Sequence, residues 1–187
     1  MIAIIVLNAC TGVSVKEPVA DKQAVSTDRA EQLAAIGEWG FVGRISLDDG
    51  DQGGSGRLQW DVAGDNSVLD FHGALGRGAW NLETGPEGAT LREADGTEQR
   101  AAGVNTLIQN RIGWSIPVDA LQWWVRGMAA PGGGESIQLD SAGAVTQLEQ
   151  FGWRVEFTRY DDDSGILLPV RLNARRDNFR VKLAVGR

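Results

Sequence analysis

The sequence predicts a mainly β fold, of the α+β class, in which about eleven antiparallel strands and three short helices form one domain. Apolar and polar residues alternate through most of the chain after residue 38, as in Leu58, Trp60 and Val62, which is the period of a strand with one wet face. Turns containing glycine or aspartate separate these segments, and helical spacing is confined to 27–37, 104–112 and 118–126. A sheet of this size has to curl or close, which leaves a groove that the helices could cover.

The elements of the first half follow from local signals. Thr27 and Asp28 can cap a helix that ends at Gly37, and a strand with Phe41, Ile45 and Leu47 on one face follows. A glycine-rich turn is expected over 49–56, and further alternating strands are expected over 57–62, 68–73, 79–83, 89–93 and 97–101.

The second half begins with helical spacing and returns to strands. Val104, Leu107, Ile108 and Ile112 recur at intervals of three and four, and Pro117 opens a second helical segment that extends to residue 126. After the glycines at 132–134, five segments alternate around 137–139, 145–148, 153–157, 170–174 and 179–185.

Composition narrows the classes of function. The 187 residues carry 18 Lys and Arg against 25 Asp and Glu, a net charge of −7, which argues against a nucleic-acid partner. One Cys and one His exclude an intrachain disulfide and most zinc sites. Seven Trp suit a wide apolar interior or an interface, although ordinary core packing would also use them.

The N-terminus predicts export and lipid attachment. Residues 1–9 are apolar but too few to span a bilayer, and 7–10 (LNAC) resemble the lipobox of bacterial lipoproteins, in which the cysteine receives diacylglycerol. We therefore predict a signal-peptide remnant at 1–9, a lipidated tether at 10–26 that begins with Cys10, and a single domain at 27–187. The alternative is a buried N-terminal strand with a free thiol.

An apolar residue occupies the turn of the hairpin at 69–82. Leu75 lies among Gly73, Gly76 and Gly78, where a polar residue is usual. Leucines at exposed tips usually make contact with something else, whereas a loop that folds back would bury Leu75 under a neighbour.

No constellation of catalytic residues is evident. His72 lies in an alternating strand and has no serine in a Gly-x-Ser-x-Gly setting near it. The aspartates at 161–163 lack the closing Glu of a calcium loop, and the glycines at 132–134 lack the Lys-Ser/Thr of a phosphate-binding loop. We therefore predict that the protein is not an enzyme and that it binds no cofactor and no metal. The basic strands of the C-terminal segment could face anionic lipid, an acidic partner or simply water.

Taken together, several motifs resemble the LolB family of outer-membrane lipoprotein receptors of Gram-negative bacteria. Besides Cys10, they are WGFVGR at 39–44, GALG at 73–76, GWSIPV at 113–118, LQWWVRG at 121–127, QFGW at 150–153 and LPVRL at 168–172. Each motif alone is weak, but their order and spacing are specific, and together they cover essentially the whole mature chain.

This resemblance implies an open, incomplete antiparallel β-barrel of about eleven strands, closed by three helices. It implies a lipid-anchored monomer on the periplasmic side of the outer membrane that accepts lipoproteins from a LolA-like periplasmic carrier. The acyl chains would be held in a hydrophobic cavity and then delivered to the inner leaflet. The family's protruding loop, with an apolar Leu needed for insertion, matches Leu75, flanked by Ala74 and Gly76. Thr11, after the lipidated cysteine, resembles an outer-membrane sorting signal.

The alternating apolar residues supply candidates for the lining of this cavity. An acyl chain in water costs on the order of 10 kcal/mol, so a carrier must cover it. The candidates are Phe41, Ile45, Leu58, Trp60, Leu69, Phe71, Trp80, Leu82, Trp114, Trp124, Trp153 and Phe157. Two alternatives stay open at this point, a soluble LolA-type carrier, which would lack the lipobox, and an envelope hydrolase.

Overall fold

Eleven antiparallel strands and three helices make up the described part of the chain, as predicted. The structure is a computed structural model and describes residues 21–74, 78–112, 117–163 and 165–186. The helices are α1 (Lys22–Ala34), α2 (Val104–Ile112) and α3 (Val118–Trp124). The strands are β1 (Glu38–Asp48), β2 (Gly53–Ala63), β3 (Asn66–Gly73), β4 (Trp80–Gly85), β5 (Gly88–Glu93), β6 (Glu98–Ala101), β7 (Ser136–Leu139), β8 (Val145–Gln150), β9 (Trp153–Asp163), β10 (Ile166–Arg176) and β11 (Phe179–Gly186).

All eleven strands belong to one open sheet. Its order is β6-β5-β4-β3-β2-β1-β11-β10-β9-β8-β7, so two meanders are joined where the first strand pairs with the last. Strands β6 and β7 form the two edges, and the chain passes from one to the other through α2 and α3. The prediction of a large antiparallel sheet with three helices, curled but not closed, is confirmed.

Strand alternation gives the sheet an apolar inner face. Rows of buried side chains run from strand to strand because the residues are directly opposite in the register. One row in the first meander contains Trp60, Leu69, Leu82 and Leu91. A second row in the other meander contains Leu148, Val155, Ala174 and Val181 and continues to Leu47 of β1. Burial of each large apolar side chain contributes about 1.5–3 kcal/mol, so this face is the main source of stability.

The first helix begins earlier than the sequence predicts. Asp21 is its N-cap and accepts a hydrogen bond from the backbone N–H of Gln23 at 3.0 Å. Thr27, the predicted cap, lies inside the helix, where its hydroxyl donates to the carbonyl of Gln23. The predicted start of the helix is therefore wrong, and residues 22–26 of the predicted tether are helical. Asp21, six residues before Thr27, caps the helix instead, and no helix-stop signal lies between the two residues.

The glycine-rich segment after β1 is mostly strand. The turn is short, closed by the Asp49 N–H donating to the Gln52 carbonyl at 3.0 Å, and β2 starts at Gly53 rather than after Gly56. Gly56 pairs opposite Ile45, and a Cβ at this position would lie 2.6 Å from the ring of Phe71. Glycine is needed here because an aromatic ring of the next strand occupies the space that a side chain would fill. Residues 53–56 belong to β2, so the prediction of a turn over 49–56 is wrong for its C-terminal half.

A buried arginine attaches α1 to the rest of the molecule. Arg29 donates to the carbonyls of Gly127 at 2.8 Å and Leu167 at 3.1 Å, and its guanidinium lies 5.6 Å from the ring centre of Tyr160. The Tyr160 hydroxyl donates to the carbonyl of Val145 at 2.7 Å, and burial raises the pKa of this phenol well above its usual value. One cation thus joins α1, the end of the α3 segment and two strands through uncharged acceptors.

A single buried amide holds the helical segment inside the sheet. The Gln150 side chain accepts from Trp124 Nε1 at 3.0 Å and from the Ala130 N–H at 2.9 Å, and it donates to the Ala130 carbonyl at 2.7 Å. The Trp124 ring packs against Trp153, with 6.2 Å between ring centres. Three otherwise unpaired polar groups of the interior are satisfied by one side chain of β8.

Replacing Gln150 by Leu should lower the free energy of unfolding by about 2–4 kcal/mol, because two donors and one carbonyl lose their partner away from water. Urea denaturation followed by Trp fluorescence measures the change. Gln147→Leu, on the outward face of the same strand, is the matched control and should change stability by less than about 0.5 kcal/mol. Equal effects of the two substitutions would contradict the role assigned to this amide.

Candidate functional site

Nine of the twelve predicted cavity residues lie buried on the inner face of the sheet or on the helix packed against it. Their side chains are no more than 8% exposed and belong to one continuous apolar core. They are Ile45, Leu58, Trp60, Leu69, Phe71, Leu82, Trp124, Trp153 and Phe157. Helices α2 and α3 cover much of this face, so the centre of the interior is filled with protein side chains and the open space lies at the two ends.

Phe41 and Trp80 mark these ends. Both are partly buried and pack against the core, Phe41 near the start of β1 and Trp80 at the start of β4. Because β1 and β4 run antiparallel to each other, Phe41 and Trp80 lie toward opposite ends of the strands, in neighbouring inward rows of the register. We call these the Trp39 end and the loop end, the latter being where residues 74–79 connect β3 to β4.

A cavity of about 540 Å³ lies at the Trp39 end. Its apolar wall includes Trp39, Trp60 and Trp123, and turns between strands complete it. This volume is within the range of ordinary ligand pockets. Asp119 of α3 also lines the cavity, where burial raises the pKa of its carboxyl and the Asn105 amide donates to it at 2.9 Å.

Arg126 separates this cavity from a second apolar slot. Its guanidinium carbon lies 5.0 Å from the ring centre of Trp39 and 5.0 Å from that of Trp123. It also donates to the Leu33 carbonyl at 3.0 Å, and burial lowers the pKa of the guanidinium from its usual value. The slot beyond it measures about 250 Å³ and includes Phe41. A half-buried cation between two indoles is therefore part of the wall that the cavity and the slot share.

The loop end contains a wider cleft of about 870 Å³. Phe71 and Trp80 stack there, with ring centres 5.2 Å apart and planes at 19°. Ala74, which is exposed, and Gly78 also border the cleft, so the two ends of the loop open onto it. Apolar side chains of the interior thus reach the surface beside the loop.

Four residues of the predicted site lie outside the described part of the chain. They are Cys10, Leu75, Gly76 and Trp114. Their roles in lipid attachment, insertion and cavity lining stay predictions.

Three residues at the Trp39 end were missed by the sequence analysis. Trp39 has the same strand parity as Phe41, so alternation could have found it. Trp123 and Arg126 follow helical spacing, which cannot tell which side of a short helix meets an indole from a strand far away in the sequence. Only the tertiary structure brings the three side chains together.

No helix in the described ranges is both long enough and apolar enough to cross a bilayer. Within those ranges, no group of three or more His, Cys, Asp and Glu side chains is arranged to hold a metal ion.

The fold defines a class of protein, an open antiparallel sheet with helices across its apolar inner face. A crystal structure of a LolA superfamily protein from Nitrosomonas europaea superposes with a TM-score of 0.51 over 88% of this chain and 91% of that one. Only 10% of the aligned residues are identical, so the similarity concerns the fold.

Sequence comparison identifies the family. The family described as "Outer membrane lipoprotein LolB" matches residues 37–187. The outer-membrane lipoprotein LolB of Alkalilimnicola ehrlichii is 36% identical over 185 residues, 98% of this chain and 92% of that protein. That of Pseudomonas aeruginosa is 34% identical over 187 residues, 98% of this chain and 90% of its own. This chain belongs to the LolB family, as the motifs predicted.

Arg126→Met should lower the free energy of unfolding by about 1–2 kcal/mol, because the substitution removes a half-desolvated cation from between two indoles. It should also increase the binding of an apolar fluorescent dye, since the cavity and the slot then become continuous. Denaturant unfolding and dye titration measure the two effects. The control Arg154→Met removes an exposed arginine paired with Glu149 and should leave both almost unchanged. Unaltered dye binding in Arg126→Met would contradict the separation of the two spaces.

Proposed function

We propose that this protein accepts lipoproteins from a LolA-like periplasmic carrier and inserts them into the inner leaflet of the outer membrane. Membership of the LolB family supports this function. In the proposed reaction no covalent bond is made or broken, because an acyl chain only exchanges one apolar environment for another. The protein is proposed to be a monomer, anchored through Cys10 and facing the periplasm.

The observation that carries the proposal is the apolar inner face of an open sheet with unfilled space at both ends. The cavities of about 540 and 870 Å³ end on aromatic side chains that continue into the buried core. Each methylene moved out of water contributes about 0.8 kcal/mol, so such a surface can hold an acyl chain without a charged ligand site.

Displacement of the helices would let the interior take up a longer part of an acyl chain than the cavities hold. Strands β6 and β7 are not paired with each other, and the chain between them includes α2, which packs on β5 and β6, and α3, which packs on α2. Side-chain contacts can be exchanged for contacts with an acyl chain at little net cost, since both are apolar. We infer that cargo displaces part of the helical cover instead of filling a rigid, preformed tunnel.

A transfer assay tests the proposed function. A lipoprotein loaded on purified LolA-like carrier should move to this protein and co-purify with it, and should then appear in liposomes when these are added. An unlipidated form of the same cargo is the control and should not transfer, because it has no acyl chain to be bound. Retention of the lipidated cargo on the carrier would contradict the proposal.

Leu75→Glu should block delivery to liposomes while leaving acceptance from the carrier intact. A carboxylate in hydrocarbon costs roughly 2.5–3.5 kcal/mol by analogy with membrane helices, whereas the leucine gains about 1.5–3 kcal/mol on leaving water. The matched control Leu75→Ile keeps the apolar volume and should be close to normal. Both steps are followed in the transfer assay, and normal delivery by Leu75→Glu would show that this loop is not the insertion element.

A soluble carrier is the second candidate, favoured by the fold shared with a LolA superfamily protein. The two functions differ in the proposed acyl anchor at Cys10. Cys10→Ala in a form with a cleavable signal should release a membrane-anchored receptor into the periplasm, because the tether has little membrane affinity of its own. Cell fractionation measures the distribution. A protein whose native N-terminus carries no acyl group by mass spectrometry would instead fit the soluble carrier.

A further inference from the structure

The outer face of the sheet carries a groove whose charge is opposite to that of the whole protein. This groove, of about 1030 Å³, crosses the junction of the two meanders and reaches Ala74 at the base of the loop. Its cationic side chains come from β1, β2, β10 and β11, with His72 of β3 beside them. They are Arg44, Arg57, Arg171 and Lys182, and we call the site the basic groove. No carboxylate of the described residues lines it, although the net charge of the chain is −7.

The four cations have no acidic partner among the residues that the structure describes. Other cations on the same face are paired: Arg92 contacts both Glu83 and Glu98, and Arg154 contacts Glu149 at 2.6 Å. The side chains of the basic groove are exposed and make no such contact within the described ranges. The sheet therefore brings four cations without an acidic partner together in one place, whereas Arg92 and Arg154 are neutralised by carboxylates.

The pairing of the strands makes this concentration of positive charge unfavourable for folding. Arg44 lies directly opposite Arg57 in the β1–β2 pair. Like charges directly opposite one another on a sheet face destabilise the pair. Arrangements that lower the stability of the fold are expected at binding sites. Here the ligand that would relieve the repulsion is one that carries negative charge.

The remaining lining groups suit phosphate oxygens. Ser46, Ser55, Thr158 and Asn173 place hydroxyl and amide donors between the guanidinium groups. Arginine and hydroxyl donors are the usual partners of phosphate in proteins. A wide, shallow groove with several separated cations fits an array of headgroups better than it fits one small anion.

We propose that the basic groove binds the anionic phospholipid headgroups of a bilayer and so orients the loop of residues 74–79 toward the membrane. The choice of a membrane over an acidic protein rests on the proposed function and on the continuity of the groove with Ala74, the first residue of that loop. An anionic membrane surface repels the acidic residues that lie outside the groove. The protein is therefore oriented with the basic groove toward the membrane. Binding is electrostatic, reversible and independent of the acyl-binding interior.

Vesicle binding tests the proposal. The full chain carrying Cys10→Ala, which removes the acyl anchor, is sedimented with vesicles of phosphatidylcholine alone or mixed with phosphatidylglycerol. The contribution of the N-terminal apolar residues is common to both, so the difference reports the charge on the lipid. Binding should be stronger on the mixed vesicles, and this excess should disappear at high salt. Arg44→Gln and Arg57→Gln should each lower the affinity for the mixed vesicles about fivefold relative to phosphatidylcholine alone.

The matched control is Arg92→Gln, which changes the net charge by the same amount on the same face but removes a cation that is already paired. It should weaken binding less than twofold. Equal binding to both kinds of vesicle, or an equal loss in Arg92→Gln, would overturn the proposal.

The transfer assay separates this inference from the proposed function. Arg57→Gln should accept lipoprotein from the carrier normally, because the groove lies on the opposite face from the acyl-binding interior. If acceptance falls while vesicle binding is unchanged, the groove binds an acidic protein surface and the membrane proposal is wrong. If the unsubstituted protein accepts no lipoprotein but still prefers anionic vesicles, the proposed function fails and the groove assignment stands.

Discussion

The structure depends on how the apolar face of an eleven-stranded sheet is covered without closing the barrel. The cover consists of α2, α3 and the residues that follow α3 up to Ala130. These elements pack against the concave face of the sheet, and the Gln150 amide fixes their position. Since one side chain satisfies three polar groups of these elements, the position of the helices is set by a hydrogen-bond network as well as by packing.

This way of covering the sheet explains where space remains. The helical segment fills the centre, where Trp124 meets Trp153, but its two short helices cannot extend over both ends of strands that reach eleven residues. A single long helix or a closed barrel would have left a solid core or a uniform channel. The open sheet instead leaves separate spaces at the Trp39 end and at the loop end, with one continuous apolar core between them.

The two faces of the sheet use the same strands for different physical tasks. Alternation directs Ile45 and Leu183 into the core and places Arg44 and Lys182 on the outside of the same strands. The apolar packing of one face is therefore independent of the charges on the other. Arg126 and Arg29 are the exceptions, since both carry charge into the interior. Both donate to backbone carbonyls and lie against aromatic rings, and among the described residues neither contacts a carboxylate.

The sequence by itself determined the strand-rich class, the number of strands, the limits of α2 and the family, because these depend on local periodicity and on motifs that are contiguous in the chain. It located most of the inner-face residues, such as Leu58 and Trp153, through alternation alone. The tertiary structure decided the rest. The start of α1, the strand character of the glycines before Gly56 and the placing of Arg126 between two indoles all depend on neighbours far away in sequence. The basic groove exists only because β1 pairs with β11, which no local pattern specifies.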